Sequence, residues 1–349
     1  MIKIYPTTPA SSIPDSLEPG SVHMGAEIDL EDVEPKSTDD AIKCIARLKE
    51  SMERVIIGKP VQVDLLITCL IARGHLLLED VPGTGKTTMA KTLAKSLKSS
   101  FQRIQCTPDL LPADITGTYV YNQKTGEFMF RQGPVFADVI LADEINRATP
   151  RTQSALLECM EENQVTLERT TFKLPPSFMV IATQNPIEYQ GTYPLPEAQK
   201  DRFLMRLKLG YLHTDEEKRM LLDQAERHPL ESMDSVITTE DVLQIQKTVK
   251  GVHVEKDLMD YIVNLVSKTR TDSNILVGAS PRGSLGLYRA GQALALVRGR
   301  DYVIPHDIKE IALPVLGHRM ILKPQVGYSE EATEELIKTL LVKVGPLGE

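Results

Sequence analysis

Leu76-Leu77-Leu78-Glu79-Asp80-Val81-Pro82-Gly83-Thr84-Gly85-Lys86-Thr87 is the stretch of this 349-residue chain that decides its fold. Three consecutive leucines read as a short strand covered on both faces. They run directly into a turn carrying Gly83 and Gly85, and residues 87–97 then read as a helix. A glycine-containing loop between strand and helix lets backbone N–H groups converge on phosphates, and the helix start adds the positive end of its dipole. Lys86 can reach β- and γ-phosphates and Thr87 can hold Mg²⁺. Pro82, Gly83, Thr84, Gly85, Lys86, Thr87 and Thr88 are therefore the expected ATP-binding residues. The strict pattern has glycine where Asp80 stands, so the match is one position short.

Outward from this loop, helical and strand patterns alternate from about residue 60 to 210. Val139-Ile140-Leu141-Ala142 is a second continuous apolar run, and it ends in Asp143-Glu144. A carboxylate at the end of a strand beside a phosphate loop can organise Mg²⁺, which assigns Asp143 to the metal, and Glu144 can polarise an attacking water. Thr149 can cap the next helix with Pro150 at its first position. Residues 178–182 form another buried strand. Strands separated by helices predict a parallel α/β sheet with right-handed crossovers. Two hairpins are expected to interrupt it, one over about 116–132 and one over about 164–175. After about 212 no strand pattern remains, and helices are expected over 214–228, 239–250, 255–271, 281–299, 305–322 and 329–344.

The expected organisation is a mobile acidic tail over 1–36, rich in Pro, Ser, Asp and Glu, an α/β nucleotide-binding core over 37–211, and a helical domain over 212–349. A helix capped by Ser37 or Thr38 opens the core, with Ile42, Ile45, Leu48, Met52 and Val55 at helical spacing. Net charge is −8, from 40 Lys+Arg and 48 Asp+Glu, which argues against a bulk electrostatic nucleic-acid binder. No apolar run approaches the roughly 18 residues of a membrane span. Cys44, Cys69, Cys106 and Cys159 are scattered and form no CxxC pair, which disfavours a zinc site or disulfide framework and makes a reducing cytoplasm the default location.

Several strings in order resemble the MoxR family of AAA+ ATPases, in the branch with a helix-2 insertion. They are the 74–83 segment entering the loop, Gly133-Pro134-Val135-Phe136, Leu141-Ala142-Asp143-Glu144-Ile145-Asn146-Arg147-Ala148, Thr152–Glu158, Ala182-Thr183-Gln184-Asn185-Pro186, Asp201-Arg202-Phe203 and Gly278-Ala279-Ser280-Pro281-Arg282. The resemblance runs from about residue 56 to 320 and implies an AAA+ P-loop core followed by an all-helical lid. It also makes the departure at Asp80 ordinary for the group.

The same resemblance implies further roles. Asn185 stands as the sensor-1 polar residue beside the γ-phosphate. Arg282 stands as sensor 2, touching the nucleotide of its own subunit. Arg202 is similar to the trans arginine finger, with Arg206 and Arg147 as competitors. Ile57 and Gly58 match the adenine pocket. The family implies ATP hydrolysis in a ring, a hexamer, that drives chaperone-like maturation, assembly or metal-cofactor insertion of a client, together with a protein bearing a von Willebrand factor A domain. The two hairpins would face the pore or partner. The alternative is a nucleic-acid-stimulated, helicase-like motor, which the net charge disfavours; the second hairpin sets Arg169 and Lys173 beside Glu168.

Overall fold

A computed structural model describes residues 33–168, 170–186, 191–223, 229–327 and 329–345. Five strands form one sheet: β1 (Leu76–Glu79), β2 (Phe101–Gln105), β3 (Val139–Asp143), β4 (Met179–Gln184) and β5 (Met205–Leu207). Their order is β2-β3-β4-β1-β5 and every pairing is parallel. Helices Lys86–Ser96 and Pro150–Glu162 make the crossovers from β1 to β2 and from β3 to β4. All five strands thus end at one edge, the edge where ligands bind in open α/β sheets.

The continuous apolar runs do what two-sided burial requires. Leu76, Leu77 and Leu78 are fully buried, and every residue of β3 and β4 is buried, with a little exposure left at the terminal Asp143 and Gln184. Each such leucine contributes roughly 1.5–3 kcal/mol. Alternation divides them between two layers. Leu76, Leu78, Leu141 and Ile181 join one apolar cluster, while Leu77, Ile140 and Val180 join the other with Leu156, Leu157 and Phe203. The first cluster continues without a break into Leu265, Leu287, Leu294 and Ile308 of the C-terminal helices. Sheet and C-terminal helices therefore share one interior.

The C-terminal part consists mainly of the helices Thr239–Val249, Lys256–Thr271, Pro281–Val297, Pro305–Leu316 and Glu330–Val344. It is not all-helical, which corrects the expectation from sequence. Ile275–Val277 pairs antiparallel with Ile321–Leu322, and His253 bridges to Tyr302. The helix expected over 305–322 stops at Leu316, two residues after the internal Pro314, and the chain turns through Gly317–Arg319 into the ribbon. These strands are two and three residues long, too short for a periodicity to register.

Residues 1–32 of the expected tail lie outside the described residues, and its last part packs against the helix Thr239–Val249. Val33 is buried, Lys36 pairs with Asp241 at 2.9 Å, and its carbonyl accepts from Thr248 Oγ1 at 2.8 Å. Both expected hairpins form, as Gly117–Asn122 with Glu127–Gln132 and Gln164–Leu167 with Thr170–Lys173. Tyr121 and Phe128 of the first are exposed, whereas Phe130 stacks on Phe172 of the second with ring centroids 4.4 Å apart.

His75, just before β1, is a structural residue. The Val180 N–H donates to its Nδ1 at 3.0 Å, so the proton must sit on Nε2, which donates to the Met160 carbonyl at 3.0 Å. Burial lowers its pKa to about 4. His318, donating to the Phe203 carbonyl, is likewise held well below the usual imidazole range, mainly by burial. Both are neutral in the fold at pH 7 and charge on unfolding, so the stability they contribute is complete above about pH 6.5 and declines as pH falls below it, for His75 down to about 4. His75 alone then removes about 3 kcal/mol. Urea unfolding at pH 7 and pH 4.5 checks this: His75→Gln should be less stable at pH 7 and lose less on acidification, and equal pH slopes would refute the assignment.

Candidate functional site

The phosphate loop follows β1 and opens the helix Lys86–Ser96. Gly83 (φ +84°) and Gly85 (φ +92°) take left-handed conformations that glycine adopts without strain. A Cβ at either would meet nothing within 4 Å, so the space in front of the loop is clear. Lys86 Nζ bends back to donate to the carbonyls of Asp80 and Val81, both at 2.7 Å. Partial burial lowers its pKa, opposed by the charges of Asp80, Asp143 and Glu144. Pro82 lies exposed at the loop tip, and Thr84, Thr87 and Thr88 are half-buried.

The second element of the site ends β3. Because β4 lies between β1 and β3, the loop, Asn185 and the Asp143-Glu144 pair come together at one sheet edge. Asn185 is buried at the end of β4, and the Gln184 carbonyl accepts from Asp80 N at 3.1 Å. Thr183 couples β3 to β4: its hydroxyl donates to Asp143 Oδ1 at 2.6 Å and accepts from Glu144 N at 2.8 Å. Asp143 Oδ2 also accepts from Arg103 Nε at 3.1 Å and Nη2 at 2.6 Å. Glu144 takes φ 57°, ψ 52°, unusual for a residue with a Cβ. Its Oε2 accepts from Arg147 at 2.9 Å and Gln105 at 3.1 Å.

Arg103, Gln105 and Thr183 were not legible as site residues. The first two lie on an exposed, largely polar edge strand without clean alternation, and they reach the site only through the β2–β3 register that pairs Gln105 with Asp143. The adenine-pocket candidates fare differently. Gly58 (φ +71°) takes a left-handed conformation against the movable Glu216 carboxylate, and Ile57 beside it is half-buried.

The arginines expected around the nucleotide do not gather there. Arg282 and Arg202 both pair with Glu161, Arg202 at 2.8 Å. Glu161 ends the crossover helix Pro150–Glu162, so this cluster lies at the sheet edge opposite the phosphate loop. It lines a cleft of about 350 Å³ with His75 and Met179 from the starts of β1 and β4, and with Arg73 and Arg289. An Arg282 contact with the nucleotide of its own subunit is therefore not what this arrangement provides. The reason is the docking of the C-terminal helices: buried Arg319 donates to Asp201 Oδ1 at 2.8 Å, the Phe203 carbonyl at 2.6 Å and the Leu204 carbonyl at 3.0 Å. Arg206 is inward, paired with Glu79 at 2.7 Å and Glu330 at 3.4 Å, and Arg147 pairs with Glu144 at 2.9 Å, so each of the three finger candidates is held by a carboxylate of its own chain.

Comparison with known proteins agrees with this geometry. Residues 75–205 match the ATPase family associated with various cellular activities (AAA), and residues 267–340 match the AAA lid domain. The chain is 43% identical over 302 residues to Chaperone MoxR1 of Mycobacterium tuberculosis, covering 84% of this chain and 80% of that one. It is 47% identical over 306 residues to an uncharacterized protein, YeaC, of Bacillus subtilis, covering 88% and 96%. A crystal structure of a provisionally assigned ATPase from Cytophaga hutchinsonii superposes with a TM-score of 0.81 at 41% identity, covering 87% of this chain and 95% of that one. With a phosphate loop, an Asp-Glu pair and a buried Asn on one parallel-sheet edge, and a lid packed on that sheet, the chain belongs to the MoxR family of AAA+ ATPases.

Proposed function

We propose that this protein hydrolyses ATP in a ring oligomer, a hexamer by analogy with the family, and uses the cycle to remodel client proteins. The observation that carries the reading is the convergence of Lys86, Asp143-Glu144 and Asn185 on one sheet edge. The residues fit the groups implied. The clear space before Gly83 and Gly85 suits a polyphosphate. Asp143 already holds the Arg103 guanidinium as a cation, so its carboxylate is suited to a divalent ion. Thr87 and Asp143 would hold Mg²⁺, which when bound neutralises charge on the phosphate oxygens. Lys86 binds phosphate, Glu144 takes a proton from the attacking water, and Asn185 orients that water. Ile57 and Gly58 would border the base.

Arg202 completes the neighbouring subunit's site in this reading, and Arg282, sharing Glu161 with it, acts on the same neighbour. A relative named Chaperone MoxR1 supports a chaperone-like role. The client, a partner with a von Willebrand factor A domain and a cytoplasmic location belong to the same proposal. Among the described residues no helix is long and apolar enough to cross a membrane. The test is ATPase rate against protein concentration, with mass photometry alongside. The rate per subunit should rise with ring formation and vanish in Lys86→Ala. A wild-type protein with no turnover at any concentration would overturn the proposal.

A further inference from the structure

Asp80 stands where the strict loop pattern has glycine, and its side chain is buried. Its carboxylate accepts three backbone N–H bonds: Val81 to Oδ1 at 2.7 Å, and Leu209 and Gly210 to Oδ2 at 2.9 and 2.7 Å. Among the described residues no cationic side chain forms an ion pair with it. A buried carboxylate is costly unless its acceptors are filled, and here two of the three bonds, both to Oδ2, come from one piece of backbone outside the loop.

That backbone is the connection between β5 and the helix Thr214–Asp223, residues 208–213, and it is tied at three further places. Lys59 Nζ donates to the Tyr211 carbonyl at 2.8 Å. His213 N donates to Glu216, whose carboxylate lies against Gly58. Lys208 pairs with Glu330, which opens the helix Glu330–Val344. The connection thus touches the phosphate loop, the Ile57-Gly58 turn and the last helix of the lid. On the loop side, Lys86 is bonded to the carbonyls of residues 80 and 81. A phosphate that takes Lys86 as a donor competes for those bonds, and one of the two carbonyls belongs to the residue whose carboxylate holds the connection.

We propose that Asp80 is a positioning residue that ties the phosphate loop to the 208–213 connection, so that phosphate engagement at Lys86 is passed to the connection and, through Lys208 and Glu330, to the lid. This rests on reading the loop as the ATP site. A glycine at position 80 makes no such tie, so the departure from the strict pattern is where this chain gains the link.

The test uses the full chain with Asp80→Gly and Asp80→Asn. Amide hydrogen exchange is followed at Leu209 and Gly210 with and without a non-hydrolysable ATP analogue, together with kcat and KM for ATP. In the wild type these amides are protected and their exchange shifts with the analogue. In Asp80→Gly they should exchange at least about tenfold faster and stop responding, with KM within about threefold and kcat down about tenfold. Asp80→Asn, which keeps an acceptor oxygen, should fall between the two. Wild-type protection and response at Leu209 and Gly210 in Asp80→Gly, or a wild-type kcat there, would overturn the proposal. Calorimetry on the wild type separates two failures. If the analogue does not bind, the ATP reading falls and takes the coupling with it. If it binds and the two amides do not respond, the coupling alone is wrong.

Discussion

Glu144→Gln is expected to bind ATP as tightly as the wild type and to turn it over about 10²–10⁴ times more slowly, the usual worth of a positioned general base. The substitution is isosteric and removes only the ability to take a proton. The protein that lacks turnover should therefore keep its fold and, with ATP bound, its assembly. The surroundings sharpen the expectation. Glu144 holds an uncommon left-handed backbone conformation, fixed by the Thr183 hydroxyl on its N–H. Its carboxylate accepts from Arg147 and Gln105. An amide in its place can still accept from both through its oxygen, so the local network survives while the chemistry does not. Fluorescent-nucleotide binding and phosphate release, measured on the same preparation, check the split. A Gln variant that hydrolyses within threefold of wild type would remove Glu144 from the water-activating role. Loss of binding together with turnover would mean that the residue holds the loop edge in shape.

The phosphate loop and the Asp143-Glu144 pair could be read from sequence because their chemistry fixes residue type and spacing within a few positions. The strand before each is a run of apolar residues that only two-sided burial explains. What could not be read is what the fold brings in from afar. Arg103 reaches Asp143 across the β2–β3 pairing, and Thr183 reaches it across β3–β4. Neither contact leaves a local trace. The position of Arg282 was not legible for the same reason at larger scale. The string from Gly278 to Arg282 marks the start of a lid helix, but where that helix docks depends on Arg319 reaching the carbonyls of Phe203 and Leu204, more than a hundred residues earlier in the chain. Sequence identifies the arginine; only the docking shows that it shares Glu161 with Arg202 at the far sheet edge.

That shared edge leads to the second large effect. Arg202→Ala should lower the rate by about 10³–10⁵, the range for arginine fingers, while leaving ATP binding to isolated subunits intact. The loss should appear only where rings form: at low concentration wild type and variant should be equally slow, and raising the concentration should accelerate the wild type alone. A mixing experiment makes the trans assignment decisive. Lys86→Ala supplies Arg202 but has no working phosphate loop, and Arg202→Ala supplies the loop but no finger. In a ring of head-to-tail interfaces mixed one to one at random, about a quarter of interfaces pair an intact loop with an intact finger, so two inactive proteins should recover up to about that fraction of wild-type activity. Arg206→Ala should show no such complementation, because the Arg206 side chain is more deeply buried than that of Arg202, between Glu79 and Glu330 of its own subunit. If the mixture stays inactive while mass photometry shows mixed rings, Arg202 does not act across the interface. Its pairing with Glu161 would then be its whole role, and Arg282, on the same carboxylate, becomes the residue to test in its place.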